Sequence, residues 1–188
     1  MAAGATRWCV LVAAAGVLCT PARARADAYI NPWAGVHFGN ESARSGVRSL
    51  GVSIGEAGNG MIGVETNIGF APGFFGSGVD NYEIDFMAGL RFGPTINPTG
   101  KVTRPYVVGE VGMIRTSIDS PATGGRFART DFGFAAGFGI THDLTERMAF
   151  RADVRYLRSL NGDGGPNSLG IDVGSFHFWR FAFGVALH

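Results

Sequence analysis

Residues 131–157 read DFGFAAGFGITHDLTERMAFRADVRYL, and large apolar side chains fill alternate positions on both sides of its centre. They are Phe132, Phe134, Phe138 and Ile140 in the first half, and Met148, Phe150, Val154 and Tyr156 in the second. Glycine and alanine dominate the other phase before the centre, and Arg151, Asp153 and Arg155 occupy it after the centre. A period of two is that of a β-strand, whose successive side chains point to opposite faces. The stretch therefore predicts two strands joined by a turn near 142–146.

The same alternation occurs along most of the chain beyond residue 27. We predict eight strands, near 28–38, 48–56, 61–70, 82–92, 104–115, 131–141, 147–157 and 176–187. In the third, fourth, sixth, seventh and eighth strands, the apolar phase holds no charged residue. No run there reaches the roughly 18 apolar residues of a membrane helix, whereas a barrel strand crosses with about 9–11 alternating residues. An arginine or lysine facing lipid at the midplane costs about 2–4 kcal/mol, so a bilayer enforces this exclusion.

Two classes of protein share this period, the transmembrane barrel and the soluble β-sandwich. In a sandwich the second face meets water, which does not require small residues. Here that face is mostly glycine and alanine with interspersed charges, and the chain of 188 residues holds 30 glycines. The interior of a narrow barrel does require small residues. The sequence therefore favours an all-β fold, an eight-stranded antiparallel up-and-down transmembrane β-barrel.

Residues 1–26 are typical of a secretory signal peptide. A basic residue precedes an apolar run of 11 residues, 8–18, and small residues allow cleavage after Ala24 or Ala26. That run is too short to cross a bilayer core of about 30 Å. We expect cleavage to leave residues 27–188 as the barrel domain.

The positions of the cysteines and the balance of charge argue against two further classes, disulfide-bonded and nucleic-acid-binding proteins. The two cysteines, Cys9 and Cys19, lie in the segment that is removed, so no disulfide framework is expected. Lysine and arginine number 16 against 15 acidic residues. This balance lacks the basic footprint of a nucleic-acid-binding protein, so no nucleic-acid partner is expected.

The expected connections alternate in length. Long ones are expected near 39–47, 71–81, 116–130 and 158–175, and short ones near 57–60 and 142–146. Outer-membrane barrels show this asymmetry, with long extracellular loops and short periplasmic turns. The connection at 93–103 departs from it, since it is long and holds two prolines. Pro32 cannot donate to a ladder, so the first strand is expected to start later or to bulge there.

Charged residues on the inward phase are the candidate functional group. They are Glu65, Asp85, Arg91, Glu110, Arg151, Asp153, Arg155 and Arg180, with Glu83 nearer the rim. Four are positive and four are negative, and buried charges must pair or hold water. We interpret them as a structural ion-pair network that fills the lumen, with an ion path or gate as the alternative. No catalytic residue, metal site or cofactor is predicted.

Other motifs give weaker indications. The segment GNGMIG at 58–63 resembles a dinucleotide fingerprint but precedes a strand, and NGDGG at 161–165 lacks the carboxylates of a calcium loop, so both are predicted to be turns. Phe74 and Phe75 are candidates for contact in an external loop. They could anchor at the bilayer surface, fold over the mouth or contact a ligand, and we favour the first.

The histidines do not indicate catalysis. A lipid-modifying enzyme needs a nucleophile beside a base, and no histidine here is followed two residues later by a serine. His37 and His177 are therefore interpreted as ordinary lumen or rim residues.

Three segments resemble the small OmpA/OmpX-like outer-membrane barrel family. They are Arg104-Pro105-Tyr106 at a strand start, Gly137-Phe138-Gly139, and RADVRY at 151–156. The resemblance covers the chain beyond residue 26. It implies a cell-outer-membrane protein of Gram-negative bacteria, surrounded by outer-membrane lipid and inserted by the barrel-assembly machinery. It implies a structural or adhesion role, or contact with an extracellular or host ligand, and no catalytic site. The alternatives are a narrow porin-like transporter of small or apolar solutes and a lipid-modifying enzyme.

Overall fold

The computed structural model of the chain describes residues 27–39, 46–57, 61–76, 80–96, 102–120, 125–160 and 176–188. The proposed signal peptide and the NGDGG segment lie outside these residues, as do the first three residues of GNGMIG. Those expectations remain predictions. Among the described residues, no helix is long and apolar enough to cross a bilayer.

Eight strands close into a barrel. They are β1 Asp27–Phe38, β2 Val47–Ala57, β3 Ile62–Pro72, β4 Asn81–Phe92, β5 Thr103–Ser120, β6 Gly125–Thr145, β7 Met148–Ser159 and β8 His177–Leu187. Each strand pairs antiparallel with the next, and β1 also pairs antiparallel with β8. The predicted eight-stranded antiparallel up-and-down barrel is confirmed.

The register determines how steeply the strands wind. From Phe38, successive Cα partners are Trp179, Tyr156, Ala136, Gly109, Leu90, Val64, Glu56 and Ala28. One circuit therefore returns to β1 ten residues from its start, from Phe38 to Ala28. Strands of such barrels tilt by about 35–45°. We call the end that holds Asp27 and Leu187 the periplasmic end, because the tight turn between β6 and β7 lies there, and the opposite end the extracellular end.

The two faces of the sheet have the predicted polarity. Outward apolar side chains are exposed, with Ile54 at 54%, Leu90 at 59% and Phe138 at 60%. Inward arginines are buried, with Arg151 and Arg155 at 1%. Apolar groups outside and charges inside are the arrangement of a barrel in lipid and the inverse of a soluble sandwich.

The connection expected at 116–130 is wrong, because most of it is strand. β5 continues to Ser120 and β6 begins at Gly125, with Thr116 opposite Arg129. The β-branched residues of this stretch suit an extended chain, and Arg129 Nε lies 2.7 Å from Asp131 Oδ1. This hairpin therefore extends beyond the ends of β4 and β7.

The expectation for Pro32 is also wrong, since β1 neither starts after it nor bulges there. Pro32 lies opposite Val52 of β2. On the other side, the register passes from Ile30 opposite Leu187 to Trp33 opposite Gly184. Between these pairs, residues 31 and 32 have no Cα partner on β8. The missing N–H of Pro32 therefore falls at a gap in the pairing of β1 with β8.

Candidate functional site

All eight predicted charges lie in the lumen and are buried. The most exposed is Arg91 at 8%, and Arg151, Arg155 and Arg180 are each at 1%. They are contributed by the inward positions of β3, β4, β5, β7 and β8. The charges line up along a strand because alternate residues, such as Arg151, Asp153 and Arg155, share one face of the pleated sheet.

Arg151 organises the layer nearest the periplasmic end. Its Nη2 donates to Glu65 Oε1 at 2.8 Å and its Nη1 donates to Tyr29 Oη at 3.0 Å. Its Nε donates to Tyr106 Oη at 2.6 Å and to Asp153 Oδ2 at 3.2 Å. Tyr29 in turn donates to Glu65 Oε2 at 2.5 Å, and Tyr106 donates to Asp153 Oδ2 at 2.9 Å. Side chains from β1, β3, β5 and β7 therefore form one hydrogen-bonded layer across the lumen.

Arg91 joins this layer through aromatic rings. Its guanidinium carbon lies 5.2 Å from the ring centroid of Tyr29 and 4.9 Å from that of Tyr106. Such cation–π contacts strengthen where water is excluded. Within the described residues Arg91 forms no ion pair. Its partners are the rings of Tyr29 and Tyr106, which the balance of four positive and four negative charges did not predict.

Arg155 forms the central layer. Its Nη2 lies 2.6 Å from Glu65 Oε1, its Nη1 lies 2.7 Å from Glu110 Oε2, and its Nε lies 2.9 Å from Asp153 Oδ1. Glu65 also accepts from Arg151, so the central and periplasmic layers share one carboxylate. A guanidinium that binds three carboxylates occupies the middle of a lumen just wide enough for side chains.

Arg180 forms the next layer toward the extracellular end. Its Nη1 lies 2.7 Å from Asp85 Oδ2, and its Nη2 donates to Asn67 Oδ1 at 3.0 Å. Asn67 donates to Ser53 Oγ at 2.8 Å. The guanidinium carbon of Arg180 lies 4.4 Å from the ring centroid of Trp33. This layer connects β1, β2, β3, β4 and β8.

An aromatic cap closes the extracellular end of the described lumen. Phe74, on the turn after β3, is fully buried at 0% exposure. Its ring centroid lies 5.1 Å from Phe178 and 5.7 Å from His37. Phe75 packs edge-on against Phe74 at 5.0 Å, and its backbone N donates to Asn81 Oδ1 at 2.8 Å. Phe74 therefore folds over the mouth, and the favoured interpretation as an anchor at the bilayer surface is wrong for this residue.

Glu83 and His37 are buried inward residues near the extracellular end of the barrel. Glu83 is the third residue of β4, toward the rim as expected, and both residues are 0% exposed. Neither the Glu83 carboxylate nor the ring nitrogens of His37 hydrogen-bond to another described residue. Beside the four acids of the predicted network, the inward acids Glu83 and Asp131 are also buried. Of the two histidines assigned to lumen or rim, His37 lies inside, and His177 faces outward at the start of β8.

Two inward glycines make room for the tyrosines. A Cβ at Gly139 would lie 2.6 Å from Tyr106 Cζ, and a Cβ at Gly55 would lie 2.6 Å from Tyr29 Oη. Both distances are too short for van der Waals contact. Large and small inward residues therefore alternate to fill the lumen.

Sequence reasoning missed the polar and aromatic partners of the arginines. Tyr29 and Trp33 share the inward phase of β1, Tyr106 shares that of Glu110, and Asn67 that of Glu65. The same period-two rule that selected the charges could have selected these residues. Among the described residues, no cluster of three histidine, cysteine or acidic side chains is placed to hold a metal. The geometry therefore provides ion pairing and obstruction of the lumen.

Comparisons with known proteins agree with this architecture. The family described as "Outer membrane protein beta-barrel domain" matches residues 10–184. Comparison with curated protein sequences gives no significant match. Similar solved structures include Neisserial surface protein A, with a TM-score of 0.65 at 16% identity, over 85% of this chain and 96% of that chain.

Two further structures share the fold. OprG of Pseudomonas aeruginosa has a TM-score of 0.56 at 17% identity, over 87% of this chain and 96% of that chain. Ail, the attachment invasion locus protein of Yersinia pestis, has a TM-score of 0.53 at 16% identity, over 86% and 99%. The family match spans residues 10–184, which is most of the sequence. The closed barrel of the structure is the kind of domain that the family description names. The chain belongs to the outer membrane protein beta-barrel family and is an integral protein of the bacterial outer membrane.

Proposed function

We propose that this protein is a closed outer-membrane barrel that acts through its extracellular surface, in attachment or in contact with a ligand outside the cell. The observation that carries the proposal is the position of Arg155. It binds carboxylates from β3, β5 and β7 at 2.6–2.9 Å and is 1% exposed. A lumen filled in this way leaves the outer surface as the part available to partners.

Contacts between opposite walls support the closed state. Strands β3 and β7 are four positions apart in the ring of eight, and so are β4 and β8. Arg155 and Glu65 join the first pair of walls, and Arg180 and Asp85 join the second. The cap of Phe74 and Phe178 covers the extracellular end of this lattice.

The alternative of a porin-like transporter requires a continuous path through these layers. The buried Glu83 and His37 favour it, because polar groups without described partners are suited to contact water or a polar solute. A solute would still have to displace Arg155 from three carboxylates. We therefore rank surface contact above transport.

We also propose that the protein is not an enzyme. The buried histidine, His37, contacts phenylalanine rings at 4.6 Å and 5.7 Å and is not oriented by a carboxylate in the described residues. General-base catalysis requires such orientation beside a nucleophile. Residues 1–26 are proposed to direct secretion, and the barrel-assembly machinery to insert residues 27–188.

A surface-replacement experiment tests the proposed function. In cells that express the chain, residues 161–175 between β7 and β8 are exchanged for a glycine-serine linker of equal length. Attachment to matrix-coated surfaces is measured, together with heat-modifiable gel migration of the barrel. The control exchanges residues 58–60, which connect β2 and β3 in the sequence. We expect the 161–175 variant to keep its heat-modifiable migration and to lose attachment, and the control to keep both. Cells with the wild-type chain that attach no better than cells without it would contradict the proposal.

A further inference from the structure

Arg91 is a buried cation whose donors lack acceptors. It is 8% exposed, and its guanidinium contacts the rings of Tyr29 and Tyr106. Within the described residues it forms neither an ion pair nor a hydrogen bond. A guanidinium carries five N–H donors, and buried donors are ordinarily paired with an acceptor. The aromatic contacts hold the charge of Arg91 in place but leave these donors unpaired.

The acids of the surrounding layer are bound by other arginines. Glu65 and Asp153 each accept from both Arg151 and Arg155. Every other arginine of the predicted lumen network has a carboxylate oxygen within 2.8 Å. Arg91 has none at ion-pair distance in the described part of the chain. An acceptor for Arg91 therefore has to come from outside this network.

The adjacent connections offer Arg91 no carboxylate. Arg91 is the second-last residue of β4, which pairs with β3 and β5. The connections that lead into β3 and β5 are residues 58–60 and 93–102. Neither contains aspartate or glutamate, and the second contains Lys101. The sequence next to Arg91 is therefore neutral or basic.

Arg91 lies at the periplasmic mouth of the lumen. Tyr29 is the third residue of β1 and Tyr106 the fourth residue of β5, so both lie near strand ends that meet at this mouth. The exposed His188, which follows β8, has its ring centroid 6.2 Å from that of Tyr29. A solute that approaches Arg91 from the periplasm does not have to cross the central layer of Arg155.

A second unpaired donor lies at the same mouth. Thr141 is an inward residue of β6, the fifth from its end, and lies opposite Arg151 of β7. Its Oγ1 is buried and has no hydrogen-bond partner within the described residues. The guanidinium of Arg151 contacts the same two tyrosine rings as that of Arg91. Thr141 therefore borders the cluster that holds Arg91, and its hydroxyl is able to donate to an anion.

The donors at this mouth suit an oxyanion. A guanidinium presents a planar fork that matches two oxygens of a carboxylate or a phosphate group, a match that a spherical halide does not provide. The rings of Tyr29 and Tyr106 exclude water from the guanidinium, and a charge-assisted hydrogen bond is stronger where water is excluded. A small anion with two or more oxygens is therefore the ligand that these groups recognise best.

We propose that Arg91 is an anion-binding residue at the periplasmic mouth of the lumen, and that its ligand is a small oxyanion with a carboxylate or a phosphate group. Arg91 binds two oxygens of this ligand, and the rings of Tyr29 and Tyr106 hold the guanidinium in place. The anion supplies the counter-charge that the chain does not place beside Arg91. This site faces the periplasm, so it does not depend on attachment at the cell surface.

Anion titration followed by nuclear magnetic resonance tests the proposal. The barrel in lipid nanodiscs is titrated with sodium phosphate or sodium acetate at constant pH, and sodium chloride keeps the ionic strength constant. The signals recorded are Arg91 Nε–Hε and the backbone amides of Tyr29 and Tyr106. We expect saturable shifts in wild type and in the control Arg147→Gln, which alters an exposed residue of the turn between β6 and β7. Arg91→Gln should weaken binding by about tenfold or more, because it removes the charged fork.

The choice of anion keeps the test decisive. Saturation by both phosphate and acetate would support a general oxyanion site, and saturation by one alone would support the site and identify the group that it takes. Absence of a saturable shift with either anion, when chloride is exchanged for it at constant ionic strength, would overturn the proposal. This comparison needs only the wild-type protein, so it holds even if Arg91→Gln does not fold. Equal binding to wild type and folded Arg91→Gln would also overturn it.

Discussion

Arg180 and Asp85 form an ion pair of 2.7 Å across the lumen, from β8 to β4 on the opposite wall of the barrel. Arg155 and Glu65 make the same connection from β7 to β3 at 2.6 Å. The lattice therefore holds opposite walls together as well as neutralising charge. Its stability and its obstruction of the lumen arise from the same contacts.

Removal of the central arginine should destabilise the barrel. Arg155→Gln removes the described cationic partner of Glu110 and leaves Arg151 alone to compensate both Glu65 and Asp153, so buried negative charge is uncompensated. Loss of one partner of a buried pair costs about 3–5 kcal/mol. The measurement is the free energy of unfolding in urea, in lipid vesicles, with Arg147→Gln as the exposed control. A loss below about 1 kcal/mol for Arg155→Gln would show that the lattice does not stabilise the fold.

The effect of a substitution on the outward face of β6 on stability and assembly should depend on its depth in the bilayer. Phe138→Arg places a cation at a position that is 60% exposed to lipid, and it should cost about 2–4 kcal/mol or prevent assembly. Thr130→Arg shares the same strand and phase but lies beside Arg115 near the extracellular end. We expect it to be tolerated. Heat-modifiable migration after insertion into vesicles distinguishes the two, and equal tolerance would mean that the outward face is assigned wrongly.

Two glycine substitutions should distinguish an inward position of the barrel wall from an outward one. Gly139→Ala adds a Cβ 2.6 Å from Tyr106 and should destabilise the barrel by about 1–3 kcal/mol through overpacking. Gly109→Ala adds a Cβ with no heavy atom within 4 Å. It should be neutral or stabilising by up to about 1 kcal/mol, because alanine restricts the unfolded chain. Urea unfolding measures both, and the reverse order of stability would contradict the packing described for the lumen.

The period-two pattern was sufficient to predict which residues face the lumen. It placed all eight charges inside, since the phase of a strand determines the face of every residue on it. It could not predict their partners. Arg180 and Asp85 are 95 positions apart in the chain, and they meet because of the ten-residue stagger between Phe38 and Ala28. No local feature of the sequence encodes that stagger.

The cap was unpredictable for a different reason. Phe74 enters the mouth because the chain turns back at Gly73, whose φ is 68°, and because Asn81 Nδ2 holds Gly76 O at 2.9 Å. An aromatic side chain in an external loop can pack equally well at a bilayer surface and in a barrel mouth. The choice between them depends on the direction of the turn rather than on the residue type.

The cap and the charged layers should act as separate barriers. Phe74→Ala removes the ring that contacts His37 and Phe178 but leaves Arg155 and Arg180 in place. We expect this variant to remain closed to ions in planar bilayers, because the arginine layers still fill the lumen. A steady current through Phe74→Ala would show that the aromatic cap alone seals the barrel.

The most direct test of the closed barrel is the conductance of the purified wild-type protein in planar lipid bilayers. A large porin, prepared in the same detergent, confirms that channels insert and can be recorded. Layers built on Arg151, Arg155 and Arg180, each 1% exposed, obstruct a lumen just wide enough for side chains, so we expect no continuous water column. The predicted result is insertion without steady ion conductance. A large and stable conductance from correctly folded wild-type protein would contradict the closed lumen and would favour transport as its function.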